Sequence, residues 1–152
     1  MSRANLLRVY LDIDGTILYY PSDESGSEEL DFQFVCDGLE AFLHFVSEHC
    51  EPYWLSLRSR LGRTAALEER LFPHLPAIAS TIPAAYWETT KSEAFDPGVP
   101  FVWFDDDPEP RDEQWLEQHG LISSLVRVDH EQTDKPKQML NVVKQRLAMH
   151  QT

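Results

Sequence analysis

Two apolar runs in this chain stop abruptly on clustered aspartates. Leu6, Leu7, Val9, Tyr10 and Leu11 lead into Asp12-Ile13-Asp14-Gly15-Thr16, and Val99-Pro-Phe-Val-Trp-Phe104 leads into Asp105-Asp106-Asp107. A short apolar run closed by aspartate and glycine has the pattern of a buried strand ending at a turn. Most of the chain between and beyond these strands carries helix signals, and strands alternating with helices imply a parallel sheet covered on both faces.

The remaining elements follow from local chemistry. Ile17 to Tyr20 and Leu30 to Val35 read as two β segments around the polar tip Pro-Ser-Asp-Glu-Ser-Gly-Ser, a hairpin flap after strand one. Asp37 as N-cap with Glu40 three residues on, then Leu39, Phe42, Leu43 and Val46 at helical spacing, predicts a helix to about Cys50. Tyr53 to Leu57 reads as a second strand, and Leu61 to Phe72 as a helix stopped by Pro73. Ala77 to Ile82 is a candidate third strand, although alanine is a weak strand former. Arg111 to His119 predicts a helix with Gly120 at C′, Leu125 to Val128 a last strand, and Pro136 to Met149 a final helix with Asp134 near its cap. The expected fold is α/β, a three-layer sandwich with a central, mostly parallel sheet, in one domain over 1–152 without repeats or linkers.

Composition narrows the function classes. Lys and Arg number 13 against 26 Asp and Glu, a formal charge of −13. That field repels a polyphosphate backbone unless a local basic patch or bound cations overcome it, so non-specific nucleic-acid binding is disfavoured. Cys36 and Cys50 have no metal spacing and read as buried thiols. No signal-peptide pattern precedes Asp12 and no run approaches the roughly 20 apolar residues of a membrane helix, so a cytoplasmic location without membrane partners is expected.

In doubly wound sheets the ligand lies beyond the carboxyl ends of the strands. Asp12 and Asp14, Ser56 with Arg58, and Asp105-Asp106-Asp107 all stand there, and Lys91 precedes the third of these strands closely enough to reach the same rim. Two carboxylates about 4 Å apart repel by roughly 4 kcal/mol at an effective dielectric of 20. A cluster of them requires compensation, and oxygen ligands without nearby His or Cys point to Mg²⁺.

Val9-Tyr-Leu-Asp12-Ile-Asp14-Gly15-Thr16, a later strand ending at Ser56, the isolated Lys91, and Trp103-Phe-Asp105-Asp106 together resemble the four ordered motifs of the haloacid dehalogenase (HAD) superfamily. The resemblance spans nearly the whole chain. It implies a HAD-like Rossmannoid fold in which Asp12 attacks phosphorus and becomes an aspartyl phosphate. Asp14 would protonate the leaving oxygen and then activate water, Ser56 would bind the phosphoryl group, and Lys91 would balance charge. Asp105 and Asp106 would hold Mg²⁺ with Asp12 and the backbone carbonyl of Asp14.

Several positions carry competing readings. An EF-hand loop would need Gly at its sixth position and Glu at its twelfth, where Ile17 and Asp23 stand. Ser59 is a rival to Ser56, and Asp107 reads as a loop or capping residue that could replace Asp106 beside Asp105. Gly15 and Thr16 of the first turn, with Arg58 and Arg60 after the second strand, are candidate substrate contacts, the arginines toward a second anionic group. Only about 40 residues separate Asp14 from Ser56, and a hairpin and one helix use them, so no cap domain is expected. An open rim suits a phosphorylated substrate that is large or exposed, macromolecular or nucleotide-like. A nucleic-acid end fits that description but is not favoured by charge. The alternative class is a non-catalytic module of the same fold that binds a phosphorylated or protein partner.

Overall fold

The computed structural model describes residues 6–20 and 34–150. Four strands, β1 (Arg8–Leu11), β2 (Glu51–Trp54), β3 (Phe101–Asp105) and β4 (Leu125–Arg127), lie in the order β2-β1-β3-β4 with every neighbouring pair parallel. Parallel neighbours cannot be joined by tight hairpins, so the chain crosses over through helical segments. Helix α1 (Leu39–His49) precedes β2, and α2 (Ala65–Arg70) with several short 3₁₀ turns separates β2 from β3. Helix α3 (Pro110–Gln118) precedes β4, and α4 (Lys135–His150) follows it. The chain leaves β1 toward one edge and returns to its other side for β3, and a sheet of this kind opens its crevice at such a reversal.

Side chains on a strand alternate between faces, and the core divides accordingly. Val9, Leu11, Val102 and Phe104 pack with Phe42 and Val46 of α1 and Met139 and Val143 of α4. Tyr10, Phe101 and Trp103 pack on the opposite side with Leu116 of α3, Trp87 and Phe95. The stripe Leu39, Phe42, Leu43 and Val46 is the buried face of α1, with the Phe42 ring edge-on to Phe104 at 6.1 Å. No helix among the described residues is long and apolar enough to cross a membrane.

The structure departs from expectation in four places. Asp37 does not cap α1: the N-cap is Gly38, without a side-chain cap bond, while the Asp37 amide is tied to the Thr133 carbonyl at 2.8 Å. The expected helix over 61–72 is divided into a 3₁₀ segment Leu57–Gly62, α2, and a 3₁₀ turn Phe72–His74. Leu61 and Gly62 sit at φ +65 and +69, a region only glycine enters without strain, and the Leu61 amide is drawn to the Trp87 carbonyl at 2.9 Å. The expected strand over 77–82 is a 3₁₀ turn, Ala77–Thr81, in which the Ser80 and Thr81 hydroxyls donate back to the Ala77 and Ile78 carbonyls. Ala84 instead continues the sheet, through one parallel bridge to Trp54. The other strands are offset: β2 runs Glu51–Trp54 instead of Tyr53 to Leu57, with Leu57 already in the 3₁₀ segment, and β4 ends at Arg127.

Where a hairpin flap was expected, the described residues show one antiparallel bridge between Leu18 and Val35, and the Cys36 amide donates to the Ile17 carbonyl. The polar tip over 21–33 lies outside the described residues. The bridged segment is pinned to the loop before α4. Tyr20 donates its amide to the His130 carbonyl, and the buried Lys135 ammonium donates to the carbonyls of Leu18 at 3.4 Å and Gln132 at 2.9 Å. Cys36 and Cys50 are both buried free thiols.

Candidate active site

The β1–β3 register sets Leu11 opposite Phe104, so Asp12 and Asp105 leave the sheet side by side, and the Asp12 amide donates to the Phe104 carbonyl at 3.1 Å. Asp12 is 6% exposed and Asp105 1%. With Asp106 they bring one carboxylate oxygen each to within 4.8 Å of one another. Asp106 therefore joins the cluster, whereas exposed Asp107 turns away and donates its amide to Asp105 Oδ1 at 2.9 Å.

Gly15 allows this approach. It sits at φ +78, and a Cβ at that position would stand 2.2 Å from Asp106 Oδ2. The glycine thus supplies both the left-handed turn after β1 and the space into which the Asp106 carboxylate folds.

Lys91 is the cation facing these carboxylates. Its ammonium donates to Asp105 Oδ2 at 2.7 Å and to Asp12 Oδ1 at 3.2 Å. Burial alone would lower the Lys91 pKa, but the charges of Asp12 and Asp105 outweigh it and raise it. Burial pushes the Asp12 carboxyl well above its ordinary value; Lys91 pulls it back, while Asp105 and Asp106 add to the rise. Asp106 is raised by the same burial and by Asp105. Three ionised carboxylates outnumber the Lys91 ammonium, and although the buried Lys135 also attracts Asp106, a negative excess remains in a largely buried pocket. A divalent cation would cancel that excess, and carboxylate oxygens suit a hard cation.

The segment that presents Lys91 is tied down twice. The Glu93 carboxylate accepts the amides of Glu88, Thr89 and Thr90 and closes a capping box with Thr90. Asp112, buried in the first turn of α3, accepts the Ser92 amide at 2.9 Å. The Thr90-x-x-Glu93 spacing is a readable capping pattern, but sequence reading missed it. The Asp112 contact has no local signature at all.

The other candidates are distributed around this centre. The Asp14 carboxylate is held by Arg58 in a two-pronged ion pair, Nε to Oδ2 at 2.8 Å and NH2 to Oδ1 at 2.5 Å, with Tyr20 donating its hydroxyl at 2.5 Å. Burial raises the Asp14 pKa, but these hydrogen bonds and the Arg58 charge overcome it and hold the carboxyl below its ordinary value. Tyr20 was missed by sequence reading, and Arg58, expected to contact a second anionic group of the substrate, is paired here with Asp14. Arg60 likewise donates to the Glu88 carbonyl at 2.5 Å, on the loop that carries Lys91.

Ser56 is fully buried, and its hydroxyl accepts the Arg58 amide at 3.1 Å. Ser59 accepts the Ser56 amide and donates to the Ser56 carbonyl, so its hydroxyl is committed within the turn. The buried Thr16 hydroxyl has no partner among the described residues.

The fold and the cluster thus define a parallel α/β domain carrying an acidic centre at the carboxyl rim of its sheet. No protein-family model, curated protein or solved structure matches the chain.

Proposed function

We propose that this chain is a Mg²⁺-dependent phosphomonoester hydrolase of the HAD type, acting through an aspartyl phosphate on Asp12. The observation that carries the reading is the meeting of Asp12, Asp105 and Asp106 around one point with Lys91 bridging two of them. Bound Mg²⁺ would be held by these three carboxylates and the Asp14 backbone carbonyl, and it supplies neutralisation of phosphate charge. Asp12 donates an oxygen to phosphorus as the bond to the leaving oxygen breaks, and water then cleaves the aspartyl phosphate. Lys91 offsets the negative charge that builds on the transferred group, and the Ser56 hydroxyl orients it.

Asp14 gives the proton to the leaving oxygen. For that role the Arg58 contact has to open, and an arriving phosphate dianion competes for a guanidinium fork. The same pair favours a second reading, a module that binds a phosphorylated partner and keeps Asp14 permanently occupied. The short helical elements between Ser56 and Lys91 support a capless, open site, and with it a large or exposed substrate. The deciding assay is phosphate release from an aryl phosphate with Mg²⁺. The enzyme reading expects Asp12→Asn to lower the rate by about a thousandfold or more, and equal rates for the two proteins remove it.

A further inference from the structure

Beside the acidic centre lies a cavity of about 160 Å³, and Lys91 forms part of its wall. The loop after β2 contributes Leu57 and the loop after β3 contributes Pro108, with the Trp87 side chain between them. Leu57 directly follows Ser56 and leaves its side chain 75% exposed at the mouth. Leu57 belongs to neither hydrophobic cluster, so its apolar surface is free to contact a guest in the cavity it lines. Trp87 is held in place by its indole N–H, which donates to the Ser56 carbonyl at 3.3 Å. One wall residue of the cavity is thus tied to the backbone of Ser56.

Size and charge both limit the occupant. A cavity of roughly 150 Å³ accommodates a guest the size of benzene. The remaining lining is acidic, from Asp107, Glu109 and the buried Asp112. Lys91, the lining cation, is already engaged by Asp12 and Asp105. A second phosphate or carboxylate on the leaving group would meet carboxylates there, whereas an uncharged or cationic flat ring would meet Trp87, Leu57 and Pro108.

We propose that this cavity receives the leaving group, and that the preferred substrates are phosphomonoesters whose alcohol carries a single uncharged or cationic ring close to the ester oxygen. The proposal rests on the hydrolase reading above and assigns the substrate class to that site. It excludes bisphosphates and polyphosphates as preferred substrates.

Benzyl phosphate and ethyl phosphate test it, because their alcohols are similar in acidity and differ in the ring. With Mg²⁺, wild type is expected to favour the benzyl ester in kcat/KM by about tenfold or more, the gain from burying one ring. Leu57→Asp should bring that ratio near one while Leu57→Phe keeps it; a general charge effect on phosphate cancels in the ratio. Calorimetry with benzylphosphonate and ethylphosphonate, which cannot be hydrolysed, reads the cavity independently of turnover. Equal kcat/KM and equal binding for the two members of each pair overturn the ring pocket, and Asp12-dependent release of phosphate would leave the hydrolase reading standing. Preferential benzylphosphonate binding with no turnover of either ester keeps the pocket and removes the hydrolase.

Discussion

Replacing Lys91 by methionine isolates the electrostatics on which the site depends. The ammonium lies 2.7 Å from Asp105 and 3.2 Å from Asp12. At an effective dielectric of 20 these separations correspond to attractions of about 6 and about 5 kcal/mol. Desolvation of the three buried groups offsets most of that, and removing one partner of a buried pair typically costs about 3–5 kcal/mol. Since small domains are stable by about 5–15 kcal/mol, the loss is a large share of the total. The variant is expected to unfold at clearly lower urea in metal-free buffer, followed by the fluorescence of the buried Trp54 and Trp103.

Mg²⁺ supplies the second half of the test. A ligand at a hundredfold excess over its Kd stabilises the folded state by about 2.7 kcal/mol. Lys91→Met carries one more uncompensated negative charge than wild type, so Mg²⁺ should raise its urea midpoint by more and narrow the gap between the two proteins. Phosphatase turnover should still fall by about a hundredfold or more, because the cation cannot replace a positioned donor. A metal-free variant as stable as wild type, or a gap that Mg²⁺ leaves unchanged, would refute the role assigned to this lysine.

Two further substitutions probe the surroundings of the cluster. Gly15→Ala places a methyl group 2.2 Å from Asp106 Oδ2 at a φ of +78. A backbone penalty of about 1–2 kcal/mol is expected. The Mg²⁺-induced rise in Tm should shrink as Asp106 is pushed aside; a full wild-type rise would contradict the contact. The Glu88 and Thr90 amides chiefly hold the Glu93 carboxyl below the ordinary glutamate value. A depressed carboxylate pKa contributes stability that is present above the unfolded value and lost as pH falls through the folded one. Wild type should therefore exceed Glu93→Gln in urea midpoint at neutral pH, with the difference closing below pH 4.5; a pH-independent difference would rule out the ionised carboxylate as its source.

The parts of this molecule that were legible in the sequence are those governed by local pattern. Val9 to Leu11 and Phe101 to Phe104 are apolar without interruption and end on aspartate, so both the central strands and the rim carboxylates could be placed. The α1 stripe was equally plain, because four apolar residues at helical spacing have one simple packing. The segment over 61–72 misled because its apolar spacing is helical while Leu61 and Gly62 lie in left-handed backbone, where the Leu61 amide bonds the Trp87 carbonyl. Alanines over 77–82 fit a strand weakly and a tight turn well, and the hydroxyls of Ser80 and Thr81 decide for the turn. Tyr20 on Asp14 and Asp112 on Ser92 were invisible, since each contact is made by the tertiary arrangement.

The pairing of β1 with β3 places Val9 against Val102, so more than half of the 152-residue polypeptide intervenes between the two halves of the acidic centre. Closing so long a stretch is entropically costly before any contact rewards it. During synthesis, Asp12 emerges early and stays an ordinary hydrated carboxylate until Phe101–Asp105 docks beside it. On the proposed function, cation capture would thereby wait for a chain whose central pairing is complete.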